Sequence, residues 1–189
     1  VVDKPFTVTL SQARELDALA KAKGLLLSVF HNRRWDSDFL TLKTLLAEGS
    51  LGEVRYLESH FDRFRPEVRQ RWREMKGAGS GIWFDLGPHV IDQALQLFGK
   101  PIAINVDMAE LRPGAQTTDY FHAVLTYPQR RVVLHASMLV AAESARFQVH
   151  GTRGSYVKYG LDPQEDRLKD GARLPQEDWG YDMRDGDRK

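Results

Sequence analysis

Cysteine is absent from this 189-residue chain. Its absence excludes disulfides, thiolate-bound zinc and a cysteine nucleophile together, and it fits a reducing compartment. Long apolar runs are missing as well. The stretches around Gly24–Phe30 and Leu134–Ala142 fall short of the roughly 20 residues that a membrane-spanning helix needs. Charge of one sign is also lacking: 27 Lys and Arg face 26 Asp and Glu, a formal net charge of +1. That balance offers no global electrostatic case for nucleic acid or an anionic membrane, and neither is expected as a partner. No G-x-G-x-x-G occurs, so the chain carries no dinucleotide-binding fingerprint. No signal peptide is visible and a cytoplasmic location is expected. The chain starts at Val1 rather than Met, which points to a fragment of a longer protein.

What is present reads as two unequal parts and a tail. Thr9 or Ser11 can cap a helix over Gln12–Lys23, with Ala13, Leu16, Leu19 and Ala20 on one face. Gly24 stops it, and Leu25–Phe30 follows as a continuous apolar run that suits a strand buried on both faces. Residues 1–31 therefore read as the helix–strand tail of an α/β domain.

From residue 32 the pattern changes. Phe39, Leu42, Leu45 and Leu46 mark a helix ending at Gly49, and Val54–Phe61 alternates with the period of a strand. A helix follows Gly81 and ends at Gly99–Lys100–Pro101. Strand-like runs then occur at Ile102–Met108, Tyr120–Tyr127, Arg131–Val140, Ala145–His150 and Ser155–Tyr159. Short links such as Pro128–Arg130 and Gly151–Gly154 imply hairpins. The expected fold is α+β: a large, mainly antiparallel sheet over residues 32–160 with helices packed on one face. Residues 161–189 have scattered apolar positions and read as a charged loop or partly disordered tail.

Asp85 and His89 are the residues that suggest chemistry first. Four apart on one helix, they project from the same face. A carboxylate beside an imidazole fixes its tautomer and makes it a better proton acceptor, as a general base near neutral pH requires. Gly77, Gly79 and Gly81 precede them and free the backbone for positive φ and close approach to a ligand. The competing reading is a capped helix start with an ordinary half-buried histidine. Lys4 is held extended by Pro5. His31, Asn32, Arg33 and Arg34 follow the apolar run, where ligands collect in open α/β sheets; an arginine loop of salt bridges is the alternative. Arg63, Trp72 and Arg73 can line a polar substrate pocket or form surface ion pairs. His60, His122, His135 and His150 read as lone strand histidines whose scatter offers no metal-ligand spacing, and no metal is expected.

Four stretches in order resemble the Gfo/Idh/MocA family of NAD(P)-dependent oxidoreductases. They are DKP at Asp3–Pro5, the run into HNRRWDSDF, EGSLGEV at Glu48–Val54, and GAGSGIWFDLGPH with the helix ending in IDQALQLFG. VHGTRGSY at Val149–Tyr156 looks like a fifth. The resemblance implies a substrate and oligomerisation domain whose cofactor, NAD or NADP, is bound mainly by a nucleotide-binding Rossmann domain, of which residues 1–31 would be the helix–strand remnant and the remainder lies outside this chain. It implies that Lys4, Asp85 and His89 are catalytic in oxidising a secondary hydroxyl of a sugar, polyol or inositol-like substrate. His89 would take the hydroxyl proton, Lys4 would stabilise the developing charge, and Asp85 would orient the histidine or a sugar hydroxyl. Lys4, Pro5, Asn32 and Arg33 are then expected near the cofactor, and Arg34, Arg63 and Trp72 near the substrate. Asp3 stands where the family more often has glutamate. A homo-oligomer, a dimer, is expected through the open face of the sheet. Alternatives are an NAD-using glycosidase of the same fold and a non-catalytic dimerisation domain.

Overall fold

The computed structural model describes residues 1–173, 182 and 187–188. Its centre is a seven-stranded sheet in the order β2-β3-β4-β1-β5-β6-β7. The strands are β1 (Val54–His60), β2 (Ala103–Ala109), β3 (Tyr120–Tyr127), β4 (Arg130–Ser137), β5 (Ala145–Gly151), β6 (Ser155–Tyr159) and β7 (Asp187–Arg188). β1 lies parallel to β4, and the other neighbours are antiparallel. The expected α+β fold is the one observed.

Two helices cover one face of the sheet, α2 (Ser37–Ala47) and α3 (Ile82–Phe98). On α3 the buried positions Ile82, Leu86, Val90 and Ala94 recur at i+4 and form one apolar stripe. They pack with Phe39, Leu42 and Leu45 of α2 onto Leu57, Phe121, Leu134 and Phe147 of the sheet. Burying each such side chain stabilises the fold by about 1.5–3 kcal/mol. β1 shows the expected alternation. Leu57, Ser59 and Phe61 face the helices, while Tyr56, Glu58 and His60 lie half-buried on the other, open face. Val54 is also buried, because the pairing with β5 slips by one residue between Val54 and Tyr56.

Two buried arginines tie the core's polar side chains together. Arg146 reaches from β5 under the helices, donating to Ser59 Oγ at 2.6 Å and Gln93 Oε1 at 2.7 Å, with Asp38 at 3.4 Å. Phe61 and Phe147 sandwich its guanidinium at 4.2 and 4.1 Å. A second buried arginine, Arg112, holds the 62–76 segment against the sheet. It bonds Asp119 at 2.9 Å, Glu74 at 3.0 Å and the carbonyls of Arg65 and Glu67.

The first thirty residues differ from expectation in one respect. α1 (Leu10–Ala22) forms, with Thr9 and Gln12 in a reciprocal capping box. The strand expected at Leu25–Phe30 does not. Val29 makes a single parallel bridge to Val2, Leu26 is 93% exposed, and α1 buries no residue. A two-sided buried strand needs neighbours on both edges and helices on both faces, and among the described residues only Val2 pairs with it. Pro5, Phe6, Val8, Leu16 and Leu19 line an open groove of about 550 Å³ on α1.

After Gly160 the structure departs from the expected loop in two places. α4 (Gln164–Lys169) forms, with acidic residues in its first turn and basic ones in its last, as the helix dipole favours. β7 pairs with β6, and Lys158 donates to Asp182 at 2.9 Å in a buried ion pair. Residues 174–181, 183–186 and 189, the rest of the expected tail, lie outside the described residues. Among the described residues no helix is long and apolar enough to cross a membrane.

Candidate active site

The start of α3 is built by glycine. Gly81 has φ +88°, and a Cβ there would lie 2.7 Å from Thr117 Oγ1 and 3.0 Å from the Thr118 carbonyl. No L side chain fits that space or favours that φ. The close approach lets Ile82 N–H donate to Thr118 O at 2.7 Å and Gly81 N–H to Arg73 O at 2.8 Å. Gly79, at φ +76°, brings the same turn against Val8. The glycine run therefore fixes where α3 begins, and with it where Asp85 and His89 stand.

Asp85 is a hub of positive charge. Its carboxylate lies 3.3 Å from Lys4 Nζ, 3.4 Å from Arg73 Nε and 3.7 Å from an Arg63 guanidinium nitrogen. Lys4 Nζ also donates to the Asp85 carbonyl at 2.5 Å, and the Lys4–Pro5 peptide is cis. Lys4 thus meets α3 from 81 residues away in sequence. Asp85 makes no hydrogen bond to His89 among the described residues, so the expected carboxylate–imidazole orientation is absent. Three cations hold that carboxylate instead. The pair does share a helix face, and Asp85 acts on His89 through its field alone.

His89 is 7% exposed, and its Nδ1 is shut from water with no hydrogen-bond partner. Burial, then the positive charges of Lys4 and Arg33, push its pKa down to about 3. The ring is therefore neutral at physiological pH. Phe61 packs against it with ring centroids 6.3 Å apart. Burial, together with the nearby Arg65 charge, also holds Arg63 below the ordinary guanidinium value.

The arginines after residue 31 are placed differently from expectation. Arg34 grips Asp92 of α3 with two bonds, at 2.7 and 2.6 Å, rather than presenting a free guanidinium to substrate. Arg33 lies 3.4 Å from Asp36 and 2.5 Å from Glu165 of α4, and 5.8 Å from the Phe61 ring centroid. Both follow the salt-bridge reading: carboxylates on adjoining elements supply the partners. Asn32 opens the short 3₁₀ turn Asn32–Trp35, and Gln93 Nε2 donates to the Arg33 carbonyl at 2.8 Å. Trp72 is exposed, with Arg73 stacked 4.6 Å over its ring.

Two anchoring residues escaped the sequence reading. Asp92 and Gln93 lie on α3 at three and four residues beyond His89, so the stripe holding Asp85 and His89 simply continues. That spacing was the available signal. The histidines, read as scattered, are also partly together. His135 is the registered neighbour of both His60 and His122, a relation set by strand pairing rather than by chain order.

Comparison with known proteins fits this arrangement. Residues 43–189 match the family model GFO_IDH_MocA_C, described as the oxidoreductase family C-terminal alpha/beta domain. The chain is 79% identical to the uncharacterized oxidoreductase YdgJ of Escherichia coli, over 98% of this chain and 54% of that protein. It is 45% identical to the scyllo-inositol 2-dehydrogenase (NADP(+)) IolW of Bacillus subtilis, over 97% of this chain and 51% of that one. A solved structure of the YPO2259 putative oxidoreductase from Yersinia pestis superposes with a TM-score of 0.91 at 73% identity, covering 98% of this chain and 52% of that one. The chain thus spans about half the length of the relatives it matches. It belongs to the Gfo/Idh/MocA oxidoreductases and carries their C-terminal α/β domain.

Proposed function

We propose that this domain forms the substrate side of the cleft in an NAD(P)-dependent dehydrogenase that oxidises a secondary hydroxyl of a sugar, polyol or inositol-like substrate. The observation that carries the reading is the juxtaposition at α3. Lys4 Nζ is anchored to Asp85, and beside it His89 is neutral with an orphaned nitrogen. A hydroxyl that loses hydride from its carbon must also lose its proton. A neutral imidazole supplies the lone pair for that proton, and a fixed ammonium stabilises the oxygen as charge develops. Asp85 keeps Lys4 in position and offsets three cations that would otherwise repel one another.

In this reading Lys4, Pro5, Asn32 and Arg33 would border the nicotinamide, with Lys4 held against α3 through Asp85. When bound, that group accepts the hydride. No pyrophosphate cradle is encoded in this chain. IolW, at 45% identity, is named for scyllo-inositol and NADP(+), which supports the polyol class and leaves the choice of nucleotide to the full-length protein. Arg63, with Asp85 as its nearest acid, is the substrate-side cation in this reading. A second copy of the chain is the expected occupant of the open sheet face, checked by light scattering.

The test uses the full-length enzyme and a screen of sugars and polyols, read by reduced-cofactor absorbance. His89→Ala and Lys4→Ala should each lower kcat by roughly 10²–10⁴-fold while cofactor affinity stays near wild type. Unchanged turnover in both variants rejects the assignment.

A further inference from the structure

The open face of the sheet holds a second constellation, separate from the candidate active site. Parallel pairing of β1 with β4 sets His60 beside His135, with ring centroids 5.0 Å apart. Asp62, two residues beyond His60, returns its carboxylate between them. His60 Nδ1 lies 3.2 Å from Asp62 Oδ2, and His135 Nε2 lies 3.4 Å from Asp62 Oδ1. One donor atom from each of the three residues falls within 4.8 Å of the others. We propose that His60, Asp62 and His135 form a binding site for a divalent transition-metal ion of the zinc class.

Tetrahedral coordination at about 2.0–2.1 Å separates ligand atoms by roughly 3.3–3.4 Å. His60 Nδ1 and His135 Nε2 each lie near that distance from Asp62, but from different carboxylate oxygens, so a small turn of the carboxylate is needed to present one oxygen to both. The donor set decides the metal class. Two imidazoles and one carboxylate suit zinc, cobalt, nickel or copper, whereas calcium and magnesium favour oxygen cages.

The surroundings are arranged as metal-ligand supports are. Glu58 Oε2 lies 2.8 Å from His60 Nε2, the carboxylate–histidine arrangement that fixes a ligand's tautomer and orientation. Glu58 is itself held by Tyr56 Oη and by Gln148 Nε2 at 3.3 Å. With the Nε2 proton given to Glu58, His60 Nδ1 turns a lone pair toward the lone pairs of Asp62. That contact is repulsive unless a cation, either a metal ion or a second proton, sits between them. Asp62 is also immobilised, accepting from Ser137 N–H at 3.1 Å and Ser144 Oγ at 2.8 Å. His135 differs in this respect: its Nδ1 is buried and has no partner among the described residues.

Beside His60 and Asp62 a cleft of about 170 Å³, lined also by Glu143, Ser144 and Arg146, leaves room for water or a small ligand to complete the coordination. The site is back to back with the first one. His60 faces the open side of β1, while Phe61, the next residue, packs against His89 on the helical side.

The experiment uses untagged full-length protein, stripped with a chelator and dialysed. It is titrated with Zn²⁺ by calorimetry and with Co²⁺ by visible absorption. One saturable equivalent per chain, with the intense visible bands of four-coordinate Co²⁺, is the expected result. The His60→Ala/His135→Ala double variant should lose that binding, and Glu58→Gln should weaken it about 10–100-fold. Three outcomes overturn the proposal: no saturable uptake up to about millimolar metal, a proton alone filling the gap; uptake in several weak equivalents; or uptake unchanged in the double variant. Should circular dichroism show the double variant unfolded, Glu58→Gln decides, and an unaltered affinity in it rejects the site. Hydride transfer by wild-type enzyme is followed in parallel, so the two functional readings stand or fall separately.

Discussion

The two faces of the sheet solve the polar-group problem in opposite ways. On the helical face, Arg146 and Arg112 are buried, and each is tied to acidic and neutral acceptors. On the open face, Tyr56, Glu58, His60 and His135 are half-buried. Burial makes a lone charge costly, so the buried arginines of the first face are paired with acceptors. Partial solvation lowers that cost on the second face, where a carboxylate and two imidazoles cluster. The contrast explains why substitutions on the covered side should cost more stability than those on the open side.

Removal of a buried partner should break the comparison most sharply. Arg146→Ala leaves the buried Asp38 carboxylate without its guanidinium, and about 3–5 kcal/mol of unfolding free energy should disappear in a urea titration. Leu57→Ala, a cavity rather than a charge, should cost about 2–5 kcal/mol. The two losses overlap in size, and an Arg146→Met variant separates the mechanisms. If it recovers much of the stability, shape matters more than the ion pair.

A pH experiment probes the boundary between the faces. His89 titrates near 3 when folded and near its ordinary 6.5 when unfolded. Between those values the unfolded chain binds the extra proton, so stability should rise with pH by at most about 1.4 kcal/mol per unit from this group. The contribution is complete above 6.5 and lost as pH falls through the folded value. His89→Gln should flatten that part of the profile in denaturant titrations run from pH 4 to pH 7. A profile with the same slope would show that His89 is not the group responsible. Smallest of all, His122→Gln on the open face should move stability by no more than about 0.5 kcal/mol. A larger loss would mean that the open face is as tightly constrained as the covered one.

Much of the fold was legible because it is periodic. The i+4 stripe of Ile82, Leu86 and Val90 announces α3, and Tyr120–Tyr127 alternates so regularly that both its ends were read correctly. Leu25–Phe30 misled, because an apolar run states what a segment would bury and not whether its neighbours are present. α4 was missed since six residues with one leucine carry no amphipathic stripe. Within the candidate site, Lys4, Asp85 and His89 were named from their motifs, and Lys4 and Asp85 do meet in space. The binding of Arg34 to Asp92 was not foreseeable without knowing how the 3₁₀ turn lies on α3. The meeting of His60 with His135 was hidden for a similar reason, because register between distant strands leaves no local trace.

The position of β1 has a consequence for how the molecule comes to exist. Its residues are among the first of the sheet to be synthesised, yet Tyr56 pairs with Arg131 on one edge and with His150 on the other. The middle of the sheet cannot close until the far hairpins have emerged, and contacts this distant in sequence slow folding. Until then an alternating strand with two unpaired edges waits in the open, and chains in that state aggregate readily. Late pulses of synthesis, rather than early ones, should therefore decide how much native protein a cell recovers.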